Sequence, residues 1–487
     1  MTNIELNNIR KIYFIGIGGI GMSAIARYFL GRGCAVHGYD KTETELTKTL
    51  ADEGMIVHYT DDVTYIPEGV DLVVYTPAVP KEHSELLWFQ EKKYPILKRA
   101  AVLGIISRGM KCIAVAGTHG KTTTASIVTH ILRVGGIDAT AFLGGISLSI
   151  GSNFVQGKSD WVVVEADEYD YSFLQLDPNI AIINSLDPDH LDIYGNEKEF
   201  KHNFSMFALR IKSRGKLFLK SGLKLPAVRG LWVKPGSEWD LILNRKPAER
   251  FAFGIRKGDY KAVKVRVEDG FFVFDFKSPL GEIKDIKTTL PGNHNIENAV
   301  AAIAVAQQLK VKPERIKDAL ANFKGIRRRF EFILRPDDAE STVFIDDYAH
   351  HPTELESAIS ATKALYPTRK ITGIFQPHLF TRTRDFQDGF AAALDKLDEI
   401  FLMDIYPARE LPIEGITAEI IFNKMQNPNK TLVTKQNLME ILQKNRDILM
   451  AHPETIGRGG KYDVVLTLGA GDIDTFVQPI KNMIENA

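Results

Sequence analysis

Cys112-Ile-Ala-Val-Ala-Gly-Thr-His-Gly-Lys-Thr-Thr-Thr124 decides the fold class of this chain. Its first five residues read as a short buried strand, and Lys121 and the threonines after it open a helix. Gly-Lys-Thr at that junction is phosphate-loop chemistry. Backbone amides wrap phosphates, Lys121 reaches the β and γ oxygens, and Thr122 offers a hydroxyl to Mg²⁺. The usual pattern has a further glycine five residues before Gly120, where this chain has Val115, so the loop is a short variant. Gly117, Thr118, His119, Gly120, Lys121, Thr122 and Thr123 are candidate contacts for ATP.

Upstream, strands and helices alternate, which predicts parallel βαβ units. Lys11–Ile15 reads as a strand, and Gly16-Ile-Gly18-Gly19-Ile-Gly21 follows it and precedes a helix from about Met22 to Leu30. Glycines there let the backbone approach a pyrophosphate, and a helix N-terminus supplies amide donors. Asp40 ends the next strand, 19 residues after Gly21, where a carboxylate can hold a ribose hydroxyl. Taken alone, the loop predicts a dinucleotide cofactor or another nucleotide diphosphate. A second phosphate loop in the next unit weakens the dehydrogenase reading. A further strand, Asp71–Tyr75, ends at Thr76, and Arg99–Arg108 reads as a helix.

Downstream, polar clusters follow strand after strand. Glu165-Ala-Asp-Glu-Tyr-Asp170 comes after Trp161–Val164, and Asp187-Pro-Asp-His-Leu-Asp192 after Ile180–Ile183. Carboxylates at such strand ends are where an α/β ATPase places a metal ligand. Residues 216–289 carry short alternating patterns and predict an antiparallel β insertion, with a helix from about Ile296 to Leu309 after it. Asn293-His294-Asn-Ile-Glu-Asn298 stands at that helix's start, either as caps or as contacts. Arg327-Arg328-Arg329 follows. From about Phe330 a third α/β unit begins, with Asp346-Asp347-Tyr348-Ala-His350-His351 and Gln376-Pro-His378-Leu-Phe-Thr-Arg382 after its strands. Arginines there suit a carboxylate or a phosphate.

Composition sets the frame. The chain has 487 residues, enough for about three domains. Its 61 basic and 61 acidic side chains cancel, so no global field favours nucleic acid or an anionic membrane. Two cysteines make neither a disulfide framework nor a cysteine-rich zinc site. The glycine-interrupted stretch from Ile12 to Gly31 is neither a signal peptide nor a membrane span. The expectation is a soluble, cytoplasmic protein.

Taken in order along nearly the whole chain, residues 14–23, 116–124, 165–170, 189–192, 346–354 and 375–385 resemble the Mur ligase family of peptidoglycan synthesis, and specifically its alanine-adding branch. The resemblance implies an α/β fold of three domains. These are a Rossmann-like UDP-sugar-binding domain (1–108), a P-loop ATPase-like central domain with the β insertion (109–328), and a Rossmann-like C-terminal domain for the amino acid (329–487). It implies ATP-dependent ligation of L-alanine to the lactyl carboxylate of UDP-N-acetylmuramate, or else joining of a recycled tripeptide to the same sugar.

The resemblance also distributes roles. Gly18, Gly19, Gly21, Ser23, Asp40 and Thr76 are expected at the UDP-sugar. Thr122, Glu165 and His190 are expected to hold Mg²⁺. His294, Asn298, Arg328 and Asp347 would complete the ATP site. Tyr348, His350, His378 and Arg382 would receive the amino acid. Lys121, Glu165, His190 and His350 are the catalytic candidates. Two departures stand out: Leu379 where the branch often has arginine, and Tyr169 where the family commonly has serine. The partners implied are small molecules, with no nucleic acid and no membrane insertion, and the chain is expected to be a monomer or weak homodimer.

Overall fold

A computed structural model describes residues 5–189, 191–228, 237–336, 338, 341–408, 410–451 and 462–486. Three sheets organise them. The first contains β1 (Lys11–Ile15), β2 (Ala35–Tyr39), β3 (Ile56–His58), β4 (Leu72–Tyr75) and β5 (Ile96–Lys98), ordered β3-β2-β1-β4-β5 and parallel throughout. Its helices are α1 (Ile20–Gly31), α2 (Glu45–Asp52), α3 (Ser84–Glu91) and α4 (Arg99–Arg108). The strand order reverses beside β1, and that is where an open α/β sheet forms its crevice. The Gly16–Gly21 loop and Thr76 therefore leave neighbouring strands at the same edge. A Cβ on Gly16 would lie 3.0 Å from Thr76 Cγ2.

The central sheet contains β6 (Lys111–Ala116), β7 (Thr140–Ser147), β8 (Ser152–Val155), β9 (Trp161–Glu165), β10 (Ile180–Ile183), β11 (Lys216–Lys220), β12 (Glu249–Ile255), β13 (Tyr260–Glu268), β14 (Phe271–Ser278) and β15 (Gly281–Thr288). Its order is β15-β14-β13-β12-β11-β10-β6-β9-β7-β8. β6 lies between β10 and β9, parallel to both, with Ala116 beside Ile183 and Val115 beside Glu165. Strands buried on both faces need continuous apolar runs, and Val162–Val164 and Ile180–Ile183 supply them. The predicted insertion extends this sheet, but its first strands correct the antiparallel expectation: β11 pairs in parallel with β10 and with β12, and β12 in parallel with β13. Neighbours β13 and β14 are joined by Asp269-Gly270, both with positive φ, which is the chemistry of a tight antiparallel hairpin.

The third sheet contains β16 (Glu331–Leu334), β17 (Val343–Asp347), β18 (Ile371–Phe375), β19 (Glu399–Met403), β20 (Lys430–Val433) and β21 (Val464–Leu468), in the order β16-β17-β21-β18-β19-β20. Only β16 is antiparallel to its neighbour. Two compact units result. One takes in the first sheet and most of the central one, as far as Lys324. The other is built from Gly325 onward, with Val265–Val273 and Thr288–Ile296. The first two sheets share a unit because their cores are continuous: Phe29, Phe142, Phe154, Val164 and Ile183 belong to one buried cluster. Among the described residues, no helix is long and apolar enough to cross a membrane.

Candidate active site

The order β10-β6-β9 brings three clusters to one edge of the central sheet. The phosphate loop leaves β6 and opens α5 (Lys121–Val134), the acidic motif leaves β9, and Asn184–Asp189 leaves β10. Gly120 caps α5 in the left-handed region, φ 78°, and a Cβ there would lie 2.6 Å from Asn298 Oδ1. Glycine satisfies both constraints at once. Asn298 accepts from Thr124 Oγ1 at 3.0 Å, and Asn184 Nδ2 donates to the same hydroxyl at 2.9 Å. The loop is thus braced from two directions. Thr118 Oγ1 donates to the Asp187 carbonyl at 2.6 Å, and the His119 amide to Ser185 Oγ at 2.8 Å.

Lys121 curls back onto its own loop. Its ammonium donates to the Gly117 carbonyl at 2.8 Å and meets Glu168 at 2.8 Å. Burial alone would depress its pKa; Glu168, Asp167 and Glu165 outweigh burial and raise it, so the lysine is a fixed cation. Burial pushes the Glu168 carboxyl up, against the pull of Lys121. Burial acts upward on Asp167 too, but Arg99 and Lys121 together hold it below the usual carboxylate range.

Glu165 has a different setting. Its Oε2 accepts from Thr122 Oγ1 and from the Gly144 amide, each at 2.8 Å. A Cβ on Gly144 would fall 2.2 Å from that oxygen, so only glycine leaves the carboxylate its place. A hydroxyl beside a cradled carboxylate is the oxygen donor set Mg²⁺ takes. Asn184 Oδ1 is buried at the loop without a hydrogen-bond partner among the described residues, which leaves an acceptor for a ligand. The residues present fit a nucleotide and its metal. His190 lies outside the described residues. Among those described, no three metal-type side chains converge.

At the first loop, Gly18 donates its amide to Asp40 Oδ2 at 2.7 Å. Asp40 therefore shapes the loop, and a ribose hydroxyl would have to share that oxygen. Gly19 caps α1, and Gly21 lies against Arg99. Ser23 corrects the sequence reading: it is fully buried, its hydroxyl donates to the Ile20 carbonyl at 3.0 Å and accepts from Asn153 at 2.9 Å. It fastens α1 to β8.

In the unit that begins at Gly325, β17, β21 and β18 bring the C-terminal motifs to one edge. The Tyr348 and His350 rings are 5.3 Å apart, and those of His350 and His378 6.0 Å. Arg382 Nη1 and His378 Nδ1 are 3.3 Å apart. His350 Nδ1 lies 2.9 Å from the Tyr348 carbonyl, which makes it the protonated nitrogen and leaves Nε2 its lone pair. Burial holds His350 below the ordinary histidine pKa, despite Glu354, so the ring is neutral near pH 7. Tyr406 stacks on His378 at 5.8 Å and was missed by sequence reasoning. Its signal was its place just after β19, at the same edge. Leu379, buried, has φ 70° and caps the helix Phe380–Leu394.

Arg328 is a second correction. Its guanidinium meets Asp346, the Gly469 and Gly471 carbonyls and Asp474, so it is a strut of this unit with no free fork for a phosphate. Asp347 accepts the amides of Phe330 at 2.7 Å and Ala349 at 2.8 Å, and burial pushes its carboxyl up to about 7. His294 stands in the first turn of the helix Asn293–Gln308, four residues before Asn298.

Known proteins align with this arrangement. Residues 11–111 match the model of the Mur ligase family catalytic domain, 115–306 the Mur ligase middle domain, and 328–471 the Mur ligase glutamate ligase domain. The UDP-N-acetylmuramate–L-alanine ligase of Christiangramia forsetii is 45% identical over 487 residues, covering 99% of both chains. The crystal structure of the UDP-N-acetylmuramate-alanine ligase of Thermotoga maritima has a TM-score of 0.78 and 27% identity, covering 98% of this chain and 99% of that one. A murein peptide ligase of Psychrobacter arcticus, 22% identical with a TM-score of 0.65 over 98% and 99% of the two chains, shares the fold. Three consecutive family models and a full-length relative leave one assignment: the chain belongs to the Mur ligase family.

Proposed function

We propose that this chain ligates L-alanine to the lactyl carboxylate of UDP-N-acetylmuramate at the expense of ATP, as a step of peptidoglycan precursor synthesis in the cytoplasm. The observation that carries the reading is Lys121 on Glu168 and Thr122 on Glu165 at one sheet edge, in a chain 45% identical over its full length to an alanine-adding ligase. The recycling ligase is the weaker alternative, because the murein peptide ligase is the more distant likeness at 22% identity.

A carboxylate repels an amine's electrons and has a poor leaving group, so it needs activation. One carboxylate oxygen attacks the γ-phosphorus of ATP, the bond to the β-phosphate oxygen breaks, and ADP leaves. The alanine amine then attacks the acyl carbon, phosphate departs, and the nitrogen gives up a proton. Phosphoryl transfer needs positioning and charge neutralisation above all. Lys121 exchanges Glu168 for the phosphates, and the Gly117–Thr123 amides hold them. Thr122, Glu165 and His190 would hold Mg²⁺, which supplies further neutralisation. Asn298 with His294 serves the nucleotide. Gly18, Gly19, Gly21, Asp40 and Thr76 bind the UDP-sugar. Tyr348, His378 and Arg382 seat the amino acid, and His350 Nε2 takes the amine proton.

The three domains divide at 1–108, 109–328 and 329–487, and the chain acts as a monomer or weak homodimer. Phosphate release with UDP-N-acetylmuramate and ATP tests the reading across L-alanine, glycine, L-serine and the recycled tripeptide. L-alanine gives the highest kcat/KM if it holds. A rate that needs the tripeptide would establish the alternative.

A further inference from the structure

Arg99 stands between the first loop and the acidic motif, and neither the motifs nor the reaction scheme uses it. It opens α4, and its Nη2 donates to Asp167 Oδ2 at 2.9 Å. Its other terminal nitrogen lies over Gly21, where a Cβ would come within 2.2 Å of Nη1. The guanidinium therefore fills space that glycine keeps open. Asp167 is its only hydrogen-bond partner among the described residues.

The same side chain lines a cavity of about 160 Å³ inside the first compact unit. Ala24, Ile25, Leu103 and Phe142 form its apolar side; Arg99, Glu165 and Asp167 form its polar side. Whole small-molecule sites measure about 300–1,000 Å³, so this cavity takes the end of a ligand. One wall is the α1 end of the loop assigned to the UDP-sugar, and the other is Glu165, which Thr122 touches. The cavity thus lies between the loop proposed for the sugar and the carboxylate proposed for the ATP metal. It presents two carboxylates and, among the lining residues, a single cation.

We infer that Arg99 is the receptor for the carboxylate of the sugar-nucleotide substrate, holding it with one side of its fork while the other stays on Asp167. Arginine suits that task because its planar donors engage two carboxylates at once. The apolar side accommodates the methyl of the lactyl group. The inference rests on the proposed reaction and adds a residue that selects the acid over its neutral analogue.

Calorimetry on the full chain with two probes tests it: UDP-N-acetylmuramate, and UDP-N-acetylglucosamine, which lacks the lactyl acid. Arg99→Gln is expected to weaken binding of the acid about ten- to a hundredfold, the loss of a charged hydrogen bond, and of the neutral sugar less than about threefold. Arg99→Lys keeps a charge for Asp167 and loses the fork. It is expected to show a smaller loss, again confined to the acid, and it serves if the glutamine variant does not fold. Equal loss for both probes, or loss for neither, overturns the inference. Ligation of L-alanine by the unmodified chain, measured alongside, reports separately on the reaction itself.

Discussion

Lys121 carries the sharpest residue-scale consequence. Its ammonium is tied to the Gly117 carbonyl of its own loop and to Glu168 of the acidic motif. Lys121→Ala should lower ATP turnover by at least about a hundredfold, as expected on losing a group that stabilises developing charge. Calorimetry should find UDP-N-acetylmuramate affinity within about threefold of the parent. Loss of both would mean that one site serves both ligands. His350 makes a prediction in pH. As a base it must be neutral, and burial places its pKa below 6.5. The kcat/KM profile should therefore hold level down to about pH 6.5 and fall only below that. In His350→Gln the acid limb should disappear along with most of the rate. An unchanged limb in that variant would assign the proton to another group. Leu379 and Tyr169 depart from the family pattern, and of these Leu379 has a structural setting: with φ 70° it turns the chain between His378 and Arg382.

At the scale of elements, much is legible in the sequence. The strand–glycine–helix junctions at Gly16 and Gly117 announce themselves, because apolar runs and glycines have few other uses in that order. Strand order was not readable. That β6 lies between β9 and β10 depends on crossovers, and no local pattern encodes them. For the same reason Arg99 went unread: an arginine opening a helix is ordinary until Gly21 and Asp167 are seen around it. Ser23 and Arg328 stand at motif positions that suggest ligands, yet Ser23 is buried between α1 and β8, and Arg328 is tied to Asp346 and two backbone carbonyls. Asp347, at the end of β17, adds a stability prediction. Its folded pKa, about 7, lies above the usual 3.8. A raised folded pKa means the stabilising proton is fully present below about pH 4 and is lost as pH rises through 7. Asp347→Asn should flatten that decline, by up to about 4 kcal/mol between the two ends. Thermal melts at pH 4.5 and 7.5 measure it. Parallel slopes in parent and variant would contradict the assignment.

On the scale of the whole molecule, a chain of zero formal charge is assigned strongly anionic ligands. Under the proposed function it meets them locally, with glycine-amide loops, Lys121, and arginines placed beside carboxylates. Shared core packing makes the first two sheets one compact unit, so the first loop and the phosphate loop are held by a single scaffold. The central claim is that the sugar's carboxylate is phosphorylated before the amine attacks. Oxygen-18 in the lactyl carboxylate of UDP-N-acetylmuramate tests it directly, with the released phosphate analysed by mass spectrometry after turnover with ATP and L-alanine. The account predicts one labelled oxygen in each phosphate released. Unlabelled phosphate, formed at the same rate as product, would contradict it.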